Sequence, residues 1–313
     1  RISQGDITYQ DNGPFKPLRV YELDVKASNI RNVRSEEGVY PSPMTLTARI
    51  FDTGSISAEG WADFLAEPHA AFMADIAHDS VGLDYFKPIT RRYKVAIDKA
   101  ALSANGEVEI SPEYKSVNLW NATVDGIHLD YVQTAATADV PKTAAAPKTV
   151  AKETLAVVDE SQAPGVQVRV DRLDIVKSNI GFVSKTTNPP YRVFIEDTNA
   201  SLTNLSSLPT GETAVAEVHG KFMSSGPASL TFKLLPTRPG PDFDMAGQVD
   251  EADLGTMNDL LRADGKFDVV AGRFSLYTEL HAKNRQITGY VKPLFQDMQV
   301  YDPSQDRDKG VLR

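Results

Sequence analysis

The sequence predicts a mainly β protein with a few short helices (α+β): an elongated, curved antiparallel sheet built from two tandem repeats. Three observations predict it. Apolar and polar residues alternate along most of the chain, helical spacing is scarce, and the chain resembles itself at an offset near 172 residues.

Alternation comes first, because a period of two is the mark of a strand with one face removed from water. In Met44-Thr45-Leu46-Thr47-Ala48-Arg49-Ile50 the even positions are apolar and the odd ones polar. The pattern returns in Val166-Gln167-Val168-Arg169-Val170, in Leu230-Thr231-Phe232-Lys233-Leu234 and in Phe295-Gln296-Asp297-Met298-Gln299-Val300. Helical spacing is clearest in Leu254, Met257, Leu260 and Leu261, stopped by Asp264-Gly265, which reads as a short amphipathic helix with a glycine end.

Residues 134–164 are rich in Ala, Thr, Lys and Pro and read as a solvated linker, in which Ala151, Leu155 and Val158 could form one face of a short helix. The linker separates unit 1, residues 1–133, from unit 2, residues 165–303, and 304–313 read as a polar tail. The units align on each other. Ile7 falls on Ile180, Pro17 on Pro190, Arg19 on Arg192, Val20 on Val193 and Asp24 on Asp197, and Ser28-Asn29-Ile30 on Thr203-Asn204-Leu205. Leu83 and Phe86 fall on Leu254 and Met257, and Val124, Ile127 and Leu129 on Phe295, Met298 and Val300. Each unit then reads as a strand pair around an Asn/Pro-rich turn, more antiparallel strands, one short helix and three further strands. With no crossover helices, the sheet should be antiparallel and largely meandering.

Composition narrows the function. The 313 residues contain no cysteine, which excludes thiol nucleophiles, thiolate metal sites and redox pairs, and a net charge of −9 without basic clusters argues against nucleic acid. No apolar run approaches the roughly 18 residues of a membrane-spanning helix. A start at Arg1-Ile2-Ser3, without an initiator Met, suggests an excised piece whose targeting or anchoring segment lay upstream.

Catalytic motifs are missing. His69, His78, His128, His219 and His281 are isolated and show no paired ligand spacing, so no metal and no cofactor is expected. There is no Gly-x-Ser-x-Gly elbow, no phosphate loop and no dinucleotide fingerprint; Ser225 sits in a Gly226-Pro227 loop between strands. The carboxylate pairs Glu36-Glu37 and Asp250-Glu251 read as polar turns. In the closing cluster, Asp302, Ser304 and Asp306 take the first, third and fifth places of a calcium loop, but Arg307 stands where glycine is required, so the cluster reads as the exit of the last strand.

Two stretches carry a family resemblance: the opening "GDITYQDNGPFKPLRVYELDVKASNI" and the closing "MNDLLRADGKFDVVAGRFSLYTELHAKNRQITGYVKPLFQDMQVYDPSQDRDKG". Both resemble the repeating domain of AsmA-like proteins of Gram-negative envelopes, in the branch catalogued as a domain of unknown function. The resemblance implies a non-enzymatic periplasmic protein, anchored to the membrane in its full-length form, with a curved sheet whose apolar groove moves lipid and supports outer-membrane integrity. Bridge-like members are far longer. The candidate groove lining is Leu46, Ile50, Phe86, Trp120, Phe232, Phe267, Phe274, Phe295 and Met298. Periodicity alone leaves open whether such residues are packed core or open groove. The partners implied are lipid acyl chains, or envelope proteins docked through sheet edges in a scaffold.

Overall fold

The computed structural model describes residues 1–10, 16–33, 35–36, 38–51, 53–92, 95–134, 166–207, 211–235, 242–283 and 286–301. The linker with its Ala151-Leu155-Val158 face and the acidic tail from Asp302 lie outside the described residues.

Among those described, sixteen strands make one curved, unclosed sheet, and strands dominate the chain as the alternation predicts. The first half contains β1 (Ile2–Tyr9), β2 (Leu18–Ala27), β3 (Ser42–Ile50), β4 (Gly54–Asp63) and β5 (Ala71–Gly82). A helical segment follows, a 3-10 turn Leu83–Phe86 and α1 (Lys87–Arg92), then β6 (Val95–Asp98), β7 (Ala101–Ile110), β8 (Lys115–Asp125) and β9 (His128–Gln133). The second half contains β10 (Val166–Ser184), β11 (Tyr191–Ser206), β12 (Ala214–Phe222), β13 (Gly226–Leu235) and β14 (Asp242–Asp253). Its helical segment precedes two long strands, β15 (Asp268–Lys283) and β16 (Gln286–Tyr301). After each helical segment there are thus two long strands rather than three. In the first half they are broken, at Lys99-Ala100 and at Gly126-Ile127, into β6 with β7 and β8 with β9.

The backbone repeats with the sequence. Left-handed residues recur in the same order in both halves: Gln4 and Lys177, Glu22 and Asp197, Asn29 and Asn204, Phe51 and Met223, Ser80 and Glu251, Gly126 and Asp297, always 171 to 175 residues apart. Nine of these pairs' members are neither Gly nor Asn, residue types that resist this conformation, so the sheet around them must hold it. In the strands the left-handed residues coincide with register shifts: between Ile2 and Ile7 of β1, between Tyr21 and Asp24 of β2, between Ile175 and Ile180 of β10, and between Val249 and Ala252 of β14. They are β-bulges, and each adds local twist.

Strand pairing departs from expectation at one place. β10 runs parallel to β8 over Val166–Val176 and parallel to β9 over Asn179–Ser184, so the two halves join through a parallel ladder. A parallel neighbour requires a connection of a dozen or more residues, and 32 residues separate Gln133 from Val166. Arg192 of β11 spans this join: its guanidinium donates to Asp130 of β9 at 2.9 Å and to Asn179 of β10, and lies over the Phe194 ring.

The predicted amphipathic helix is also less regular than expected. It is a 3-10 turn, Leu254–Met257, one α-turn, α2 (Asn258–Leu260), and a π turn, Leu261–Gly265. Asp253 caps it by accepting from the Gly255 amide at 2.8 Å. Lys266 (φ 61°), not Gly265, adopts the left-handed exit conformation; Gly265 lies against the Phe267 ring, where a Cβ would come within 2.5 Å. Asn258 secures the segment to the sheet, donating to the Val269 carbonyl at 2.9 Å and accepting the Val269 amide at 2.8 Å. Asp250 and Glu251, expected in a turn, belong to β14 at its bulge, and Asp250 accepts from the Tyr277 hydroxyl at 2.7 Å.

An apolar sheet face as the candidate functional site

The register sorts side chains into two faces. A row of cross-strand partners runs Ile2, Val25, Leu46, Ala58, Ile76, Gly106, Leu119, Val170, Leu205, through nine strands without a polar side chain. A second row continues it: Leu173, Leu202, Ala216, Phe232, Met245, Leu280, Gly289. One residue along, on the opposite face, the row reads Lys26, Thr45, Glu59, Asp75, Glu107, Asn118, Arg169. One face is therefore apolar from one edge of the sheet to the other, and the opposite face is polar and charged.

The apolar face is covered only in part. The second helical segment lies on it: Leu254 and Met257 pack with Val249, Ala252, Val269 and Phe274, with Phe267 against them. The first half has a smaller equivalent, where Leu83 packs on Ala100, Val124 and Ile127. Away from these two patches the face has no second layer among the described residues, and Val25, Leu46, Ile76, Leu119, Val170, Leu202, Phe232 and Met245 all remain half-buried. Leu254 is the only large apolar side chain among the described residues to be fully buried. A sheet hydrophobic on one face normally buries it against another element.

No family model, curated protein or solved structure matches this chain.

The residues proposed to line a groove divide by position. Leu46, Ile50 and Phe232 lie half-buried on the apolar face, and the Phe232 ring sits 5.3 Å from that of Phe243. Phe274 (8% exposed) and Phe267 belong to the packed patch beneath the second helical segment. Phe295 and Met298 lie on edge strand β16 and are exposed, with the Phe295 ring 5.5 Å from Phe274. Trp120 lies elsewhere: Leu119 and Ala122 pair on the apolar face with Gly106 and Ala104, and Trp120 and Asn121, bulged between them, take the other side. The side chain of Phe86 lies outside the described residues. Most of the face is built instead from Val, Leu, Ile and Ala, which a search weighted toward aromatics passes over; the alternation itself is the signal that finds them.

His78 is a polar exception on this face. It pairs with Ile56 and Ala104, and its buried Nδ1 has no hydrogen-bond partner among the described residues. Burial holds its imidazole below the usual histidine range, against the opposing pull of the Leu102 backbone and the Asp79 charge. A depressed histidine contributes stability that is complete above its unfolded value and is lost as pH falls through the folded one. At the matching position of the second half stands Val249. His78→Val is expected to flatten the loss of stability between neutral pH and about pH 5, below the free histidine value of about 6.5. Urea midpoints at the two ends of that window measure it, and an unchanged slope removes His78 as the cause.

Among the described residues no three His, Cys, Asp or Glu side chains approach closely enough to hold a metal ion, and no helix is long and apolar enough to cross a membrane. The carboxylates of Asp79, Asp84 and Asp125 line a shared hollow with Lys99 on the polar side, where Asp79 is occupied by the Ser103 hydroxyl at 2.8 Å.

Proposed function

We propose that this chain is a non-enzymatic, AsmA-like module of the periplasm that holds or passes lipid acyl chains along the apolar face of its sheet and so supports the outer membrane, anchored to the membrane in its full-length form. One observation carries the reading: an apolar face continuous through both halves that, among the described residues, helical segments cover at two patches. An acyl chain gains about 0.8 kcal/mol for each CH₂ it buries. On an open face each methylene gains part of that, while the head group keeps its water. The mechanism is partitioning along a track and requires no reacting group.

Native mass spectrometry of the purified chain, followed by solvent extraction, tests it. Lipid masses that leave with mild activation are the expected result; a folded sample carrying none sinks the reading. A second reading, a scaffold of an envelope complex, draws on the two edge strands β1 and β16, which lack an outer partner among the described strands and expose Ile2, Ile7, Val291 and Val300. It predicts a lipid-free protein.

A further inference from the structure

We propose that β1 and β16, the two edge strands of the described sheet, are complementary, and that β1 of one copy of this chain adds in parallel to β16 of another, joining copies head to tail. The template is the parallel join inside the chain. There β10 lies on β8 and β9 at a constant register of 51 residues, which sets left-handed Lys177 (φ 49°) opposite left-handed Gly126 (φ 68°). Two bulges thus face each other, and the ladder continues on both sides of them: Val176 opposite Asp125, Asn179 opposite His128.

The two edge strands carry the two halves of the same device. β16 has Asp297 (φ 50°) where the first half has Gly126, and β1 has Gln4 (φ 54°) where the second half has Lys177. Setting Gln4 opposite Asp297 fixes every other partner. Ile2 then meets Phe295 and Ile7 meets Val300, all on the apolar face, as Ile175 meets Val124 and Ile180 meets Leu129 in the internal join. The four edge side chains are 50%, 50%, 52% and 49% exposed, whereas Val124 in the join is 8% exposed. Pro293, which has no N–H for a ladder, falls outside the overlap of Ile2–Tyr9 with β16. Arg19 repeats the residue that spans the internal join: it binds Asp6, at the place of Asn179, and lies over Tyr21, at the place of Phe194.

Exposed edges are usually blunted by lysine, proline or an interrupting bulge. Here the bulge does not interrupt, because its partner on the opposite edge matches it. The contact uses different surfaces on the two copies, so it is heterologous, and it carries the apolar face from one copy into the next.

The absence of cysteine makes the test direct. Ile2→Cys and Phe295→Cys proteins are mixed and treated with a short bis-maleimide. The expected result is a mixed dimer in about tenfold excess over the off-register mixture of Ile2→Cys with Val291→Cys, as a high local concentration at matched positions requires. By sedimentation, the wild-type mass rises twofold or more with concentration, and Ile7→Lys or Val300→Lys returns it to that of one chain with an unchanged circular dichroism spectrum. Equal cross-linking in both registers overturns the proposal. So does a wild-type chain that stays single at the highest concentration at which it is soluble, an outcome that assigns the edges to some other strand.

Discussion

A glutamate at Leu46 is expected to weaken binding of a fluorescent long-chain fatty acid by at least about tenfold, equivalent to 1.4 kcal/mol. Leu46 is half-buried in the middle of the apolar row, between Val25 and Ala58. A carboxylate there keeps its water only while the face is empty; an acyl chain lying over it strips that water away at a cost of several kcal/mol. The partial exposure of the site lets the variant fold, which separates this effect from unfolding. Ser57→Glu is the matched control, since Ser57 points to the polar face one residue from Ala58 and should leave affinity within about twofold. Val218, the counterpart of Leu46 in the second half, should behave as Leu46 does if the two halves form one track. Titration of the probe into each variant decides it, and unchanged affinity in a folded Leu46→Glu protein would place the bound chain elsewhere.

Leu254→Ala should be the most damaging single truncation in the chain. Leu254 is fully buried beneath its helical segment, against Val249, Val269 and Phe274, in the larger of the two packed clusters. Losing its methyl groups and leaving a cavity costs about 3–5 kcal/mol in such sites. Its counterpart Leu83 is half-buried in a smaller cluster, so Leu83→Ala should cost about half as much. Equilibrium urea denaturation compares the two; equal losses would mean that the helical segments anchor their halves alike, contrary to their packing.

Much of this fold is legible in the sequence because a strand states its two faces residue by residue. Leu46, Val170 and Phe232 sit where their alternation puts them. The repeat is legible too, and the backbone sharpens it, since Asn29 and Asn204, aligned by sequence alone, share the left-handed conformation. Other features leave no local trace. The parallel join depends on where β10 meets β8 after a long connection, which no window of residues encodes. The bulges fall on Gln4, Lys177, Glu22 and Ser80, none of them a residue that announces positive φ, because neighbouring strands impose it. Trp120 was misleading for the same reason: one extra residue in β8 reverses the face to which alternation assigns it.

The half-covered face has a consequence for heat capacity. The large positive heat-capacity change of unfolding comes from newly wetted apolar surface, about 12–15 cal/mol/K per residue in compact proteins. Here a broad strip of Val, Leu and Ile is in contact with water before unfolding begins. The chain should therefore have a flatter stability curve than its length suggests, losing little of its hold on cooling. The missing part of the signal is not lost but deferred: it belongs to whatever lies down on the strip, as a negative heat-capacity change of association.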